Sequence, residues 1–147
     1  MTRGLAIFLG VGAGALVGMQ APVNSRLGKT VGGVQAASFS FLVGTLALVT
    51  ISFILRGGLS SWGSIGKVPW WALVGGLLGA VYVFVALEAV RTLGASGLTA
   101  VVITGQLAMS VVIDRFGLLG VARAPVSWQR VLGIVLLVAG VALVVRK

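Results

Sequence analysis

Leu93 to Gly120 reads LGASGLTAVVITGQLAMSVVIDRFGLLG, and this stretch decides how the chain must fold. Between Arg91 and Asp114 it carries no charge from Thr92 to Ile113. Wound as a helix at about 1.5 Å per residue, that run is roughly 33 Å long, enough to cross a hydrocarbon core of about 30 Å. The run is not uniformly apolar. Ser96, Thr99, Gln106, Ser110 and Asp114 recur at steps of three, seven, four and four, which places them in one polar stripe on an apolar rod. An unpaired polar group in hydrocarbon costs several kcal/mol, so the stripe has to face protein or a water-filled space. The helix therefore belongs to a bundle.

The composition agrees. Of 147 residues, 59% are hydrophobic and 9% charged, with a mean hydropathy of +1.16, against about a quarter charged in soluble domains. Without cysteine or histidine the chain has no disulfide framework, thiolate, imidazole shuttle or His-based triad. Two acids, Glu88 and Asp114, are too few for a paired-carboxylate site or an oxygen-ligand metal cage. An enzyme, a metal site and a cofactor are not expected. The net charge of +9 does not form a nucleic-acid patch, because the basic residues fall singly or in small groups between apolar runs. They are expected beside lipid headgroups.

Outward from the central stretch, charges delimit four further uncharged runs: Gly4–Ser25, Thr30–Leu55, Val68–Leu87 and Val131–Val145. We expect an all-α integral membrane protein with one transmembrane domain over residues 1–147. Its five helices cover approximately 4–24, 33–55, 69–90, 93–114 and 127–146. The last run is short, about 22 Å at the helical rise, so its helix is expected to start near Ser127 and let Arg130 snorkel or pair inside. Trp62, Trp70, Trp71 and Trp128 all sit at or between run ends, as an interfacial aromatic belt requires. The first run is longer than a signal-peptide core, and the cleavage-like Ala13-Gly14-Ala15 falls in its middle. The glycine run from Gly10 to Gly14 has no preceding strand and is not a dinucleotide fingerprint.

Gly10, Gly14 and Gly18 repeat every four residues and leave one face of the first helix open to close helix packing. Gly75 and Gly79 repeat the pattern in the third helix, in line with Trp71 and Tyr82. At the end of the first helix, Pro22 deprives the Gly18 carbonyl of its usual donor. Gln20 and Asn24, four apart on one face, can satisfy such freed groups. A discontinuity of this kind can build a transporter site or simply end a helix.

An acid within a membrane span is a functional hypothesis by default. Glu88, however, has Arg91 three residues on, within ion-pair range, and shares its face with Val74, Leu77, Val81 and Phe84. An interfacial ion pair is the expected arrangement, with a coupling acid as the alternative. Asp114 stands beside Arg115 and continues the polar stripe. Gln106, at the stripe's centre, is the stronger candidate for contact with a solute.

Several elements occur in a fixed order: Gln20-x-Pro22-x-Asn24, then AASFSFLVGT over residues 36–45, then Gly75-Gly76-x-x-Gly79. Leu93-Gly94, Gly105-Gln106 and Ile113-Asp114-x-Phe116-Gly117 follow. Together they resemble the YdcZ-like family of small bacterial membrane proteins in the drug/metabolite transporter superfamily, over essentially the whole chain. The resemblance implies a five-helix protein of the bacterial inner membrane, equivalent to half of the superfamily's ten-helix, inverted-repeat members. It carries over no catalytic residue and names no substrate. Small multidrug resistance transporters, better-known relatives, centre proton coupling on a glutamate in their first helix. Here that helix has only Gln20 and Asn24, so it lacks the acid for that route.

The function expected is secondary transport of a small solute by alternating access, in an antiparallel homodimer or with a paired homologue. Gln106, Ser110, Asp114 and Thr99 would line the path, with Gln20, Asn24 and Tyr82. A small anion channel and a non-transporting assembly subunit are the rival classes. If the five helices alternate in direction, six basic residues fall on one side (Arg3, Arg56, Lys67, Arg115, Arg123, Arg130) and five on the other (Arg26, Lys29, Arg91, Arg146, Lys147). So small a bias predicts insertion in both orientations.

Overall fold

A computed structural model describes residues 1–56 and 58–145. Arg146 and Lys147, which enter the charge count above, lie outside the described residues. Within them the chain is all helical: α1 (Arg3–Val31), α2 (Gly33–Arg56), α3 (Gly75–Phe116) and α4 (Trp128–Val145). Short 3-10 turns over Ser60–Lys67, Trp70–Val74 and Leu118–Gly120 connect them. Four segments are long and apolar enough to cross a membrane: Arg3–Val31, Gly33–Leu55, Trp70–Phe116 and Trp128–Val145. Their apolar side chains stay largely exposed in the single chain, Phe8 at 75% and Leu143 at 72% among them. Helices apolar on every side belong in lipid or against other protein. Trp70 and Trp128 each open an apolar element, and Trp62 lies in the connecting turn.

The longest element, α3, has 42 residues, and its backbone is not helical at Gly94 (φ 70°, ψ 170°). An unbroken helix of that length would measure about 63 Å, twice the bilayer core. The conformation at Gly94 is open essentially to glycine alone, since a side chain there would clash with its own backbone. It separates a first arm, residues 75–93, from a second, 95–116. The chain also divides close to this point into two compact units, Met1–Arg91 and Thr92–Lys147.

In the first unit, α1 does not stop near residue 24. It runs through Pro22 to Val31. Proline removes one hydrogen bond, but the apolar and small residues around it continue the helix. The stop comes at Gly32 (φ 94°), whose N–H donates to the Gly28 carbonyl at 3.0 Å. The Gly32 carbonyl accepts from Ala36 N at 3.0 Å and begins α2. One residue thus ends one helix and starts the next, and its positive φ selects glycine. Ala36, Ala37, Val83 and Leu87 form the core of this unit, with Leu27 and Tyr82 packed against it. Small residues allow the close approach: a Cβ at Gly28 would lie 3.6 Å from Ala36 Cβ, and one at Gly79 would lie 3.2 Å from Phe41 Cζ.

In the second unit the second arm of α3 meets α4 near both of its ends. A Cβ at Gly97 would lie 3.7 Å from Val145 Cγ2 near one end. At the other end Asp114 Oδ2 accepts from Arg130 Nη1 at 2.8 Å. The two elements therefore run antiparallel. The connection between them is tied to the end of α3: Ala124 N donates to the Asp114 carbonyl at 2.9 Å, and Arg123 Nε to the Phe116 carbonyl at 3.2 Å. Carbonyls left over at a helix end are satisfied in this way. Ser127 caps α4 through its hydroxyl, which accepts from Arg130 N at 3.4 Å.

Candidate functional site

Ser25, Glu88 and Arg91 of the first unit come together at the junction of α1 and α2. Arg91, at the end of the first arm of α3, donates from Nη1 to Glu88 Oε2 at 2.6 Å and from Nε to Ser25 Oγ at 3.1 Å. Ser25 is buried in the penultimate turns of α1. Gly28, one turn further on, leaves room for the guanidinium, for a Cβ there would stand 3.0 Å from Arg91 Nη2. On the other side Glu88 Oε1 lies against Gly33, the first residue of α2. The carbonyl end of a helix carries partial negative charge and the N–H end partial positive charge. Arg91 stands by the former and Glu88 by the latter, so the pair complements both helix ends.

The face read as apolar around Glu88 is divided. Leu77 and Val81 are exposed, and Phe84, itself 40% exposed, also reaches Gly33 of α2. Of the other candidates in this unit, Gln20 is exposed and Tyr82 is half-buried against the core. Asn24 is only 5% exposed, and among the described residues its Nδ2 has no hydrogen-bond partner. The structure brings Asn24 and Ser25 into the packed end of α1 and leaves Gln20 outside it. Ser25 escaped sequence reasoning because a serine at the end of an apolar run is common. Its adjacency to Asn24, just before the first charges of the following turn, was the one available signal.

In the second unit the stripe stands along the second arm of α3. Ser96, Gln106 and Ser110 are exposed; Thr99 and Asp114 are half-buried. Ser110 Oγ donates to the Gln106 carbonyl at 2.8 Å, and Thr104 Oγ1 to the Ala100 carbonyl at 2.9 Å. A hydroxyl bonded back to its own helix tolerates an apolar surrounding. The Gln106 amide is too long to satisfy itself so simply. Asp114 pairs with Arg130 across the connection and not with its neighbour Arg115. Of the glycines read as packing surfaces, Gly79 faces Phe41, whereas Gly10, Gly14 and Gly75 face open space and Gly18 is half-buried.

These features can be set beside known proteins. The sequence matches, over residues 5–143, the family described as "Putative inner membrane exporter, YdcZ". It is 30% identical over 144 residues to the protein named "Inner membrane protein YdcZ" of Escherichia coli (strain K12), covering 97% of this chain and 95% of that relative. No solved structure matches. Apolar helices with tryptophans at their ends, and a match along nearly the whole length, lead to one conclusion: the chain is a multi-pass protein of the bacterial inner membrane and belongs to the YdcZ family of membrane transporters.

Proposed function

We propose that the protein is a secondary transporter that carries a small solute across the inner membrane by alternating access, as an antiparallel pair of copies. The observation that carries this is the exposed Gln106 on an apolar membrane helix, in line with exposed Ser96 and Ser110. A glutamine amide facing hydrocarbon would leave two donors and an acceptor unmet, at a cost of several kcal/mol. A second protein surface covers it, and the covered stripe becomes the wall of a polar path. The open glycines Gly10, Gly14 and Gly75 offer further places for close helix contact.

The break at Gly94 supports two separate crossings by α3, and hence five in all. Five crossings put the chain ends on opposite sides, and basic residues divided six to five do not fix which side is which. Copies inserted both ways pair into a ten-helix inverted repeat, with the solute site near the midplane. The family description, an exporter, supports outward movement.

The chain has no native cysteine, which makes a direct test simple. In an antiparallel pair the two-fold axis lies in the membrane plane, so mid-depth residues of the covered stripe meet their own copies. A single Gln106→Cys variant in native membranes should cross-link to a dimer with a short bifunctional reagent, while Leu136→Cys, on α4, should not. Monomers alone at Gln106→Cys and also at Ser110→Cys would rule out pairing through the stripe.

A further inference from the structure

A second polar feature does not belong to the stripe. At the carboxyl-terminal end of α1 a cavity of about 400 Å³ is lined by Pro22, Ser25, Arg26, Lys29, Val90 and Arg91. Three of these six residues are cations and none is an acid. Pro22, Ser25 or Arg26, and Lys29 follow one another at three- and four-residue steps, which puts them on one face of α1. Val90 and Arg91 line this open groove from the first arm of α3.

The cavity is built, not a chance gathering of solvated lysines. Ser25 and Val90 are 5% and 9% exposed and form its floor. Arg91 is held from two sides, by Ser25 Oγ and by Glu88 Oε2, and Glu88 does not line the cavity. Those two bonds commit two of the five donors of a guanidinium and orient the rest. Ser25 accepts from Arg91 and so keeps its own O–H to donate. Arg26 and Lys29 are exposed and line the rim of the cavity. The end of α1 carries partial negative charge, which offsets part of this positive field. Three full cations still exceed it together with the one adjoining carboxylate.

We propose that this cavity binds an oxyanion, a phosphate or carboxylate group carried on a small organic body. The anion sits between Arg91, the Ser25 hydroxyl, Arg26 and Lys29, and the organic part lies on Pro22 and Val90. The volume falls in the range of small-molecule pockets and exceeds what a bare ion needs. A free solute and an anionic lipid headgroup share this chemistry. The site is independent of the transport reading, because binding is read without any flux.

The test uses the full chain purified in a neutral detergent, at constant ionic strength so that screening does not vary. Its thermal midpoint is followed against inorganic phosphate in one arm and short-chain phosphatidylglycerol in the other, with chloride as the reference anion. A bound ligand raises the midpoint with a saturable dependence on concentration. The expected result is saturation by at least one probe, weakened tenfold or more in Arg26→Gln/Lys29→Gln and unchanged in Lys67→Gln. Arg26 and Lys29 make none of the bonds that hold Arg91, so the double variant should fold. An Arg91→Lys variant, which keeps the charge and loses the fork, should weaken binding to a similar degree. Saturation by phosphate assigns the site to free anions, and saturation by the lipid alone assigns it to headgroups. No saturable shift with either probe, or a shift equal in chloride or in the double variant, overturns the proposal.

Discussion

Arg91 Nε donates to Ser25 Oγ at 3.1 Å, joining residues 66 positions apart. The same guanidinium holds Glu88 at 2.6 Å. One side chain therefore locks the end of α1 to the first arm of α3 where α1 gives way to α2. An arginine beside an acid three residues earlier suggests only a local pair. The bond to a buried serine makes it a tertiary contact.

Removing the serine hydroxyl tests that contact. A hydrogen bond to a charged group contributes about 1.5–3 kcal/mol net. Ser25→Ala should lower stability by about that amount in detergent, whereas Ser38→Ala should be nearly neutral, because the Ser38 hydroxyl bonds only to its own helix at Val34. Equal effects of the two changes would show that the Arg91–Ser25 bond does not hold the junction.

The two polar candidates of the spans should separate in function. Glu88 stands near the end of the first arm, and its carboxylate is held by Arg91 three residues on. Glu88→Gln keeps an acceptor for Arg91 and should change both stability and transport little. Gln106→Ala should leave the folded chain intact and reduce saturable transport in proteoliposomes by tenfold or more. A folded, inserted Glu88→Gln protein that transports nothing would reverse this ranking and make Glu88 the coupling acid.

Gly94 offers a backbone test. With φ 70° and ψ 170° it occupies a region that costs other residues about 1–3 kcal/mol. Gly94→Ala should be destabilised by about that much in thermal unfolding, although a Cβ there meets nothing within 4 Å. Gly75→Ala, at a helical position with open space, should be neutral or slightly stabilising within the single chain. An unaltered Gly94→Ala protein would mean that α3 runs straight through.

Orientation can be read with reporter fusions at Lys147. Active reporter should appear on both faces of the inner membrane in substantial amounts, and adding two or three lysines at one end should drive the population one way. A reporter confined to one face in the unmodified protein would exclude self-pairing of opposite copies and favour a separate partner chain.

Membership among apolar, membrane-spanning helices was legible in the residues alone, because hydropathy is local and adds along the chain. Charges at Arg91 and Asp114 and tryptophans at positions 62, 70, 71 and 128 mark run ends whatever surrounds them. The polar stripe of Ser96, Gln106 and Ser110 follows from helical periodicity for the same reason. The end of α1 did not follow: Pro22 is a strong local signal for a stop, yet the helix continues to Val31 and turns at Gly32. The stop is set by the positive φ of Gly32, not by the proline inside the helix. Partner choice was equally hidden. Asp114 has Arg115 as its neighbour in sequence, but adjacent helical residues point about 100° apart, and the fold brings Arg130 to it instead. Ser25 likewise became a structural residue only when packing carried Arg91 to it. A charge finds its partner through distances in space, and those are set by how small residues let helices approach.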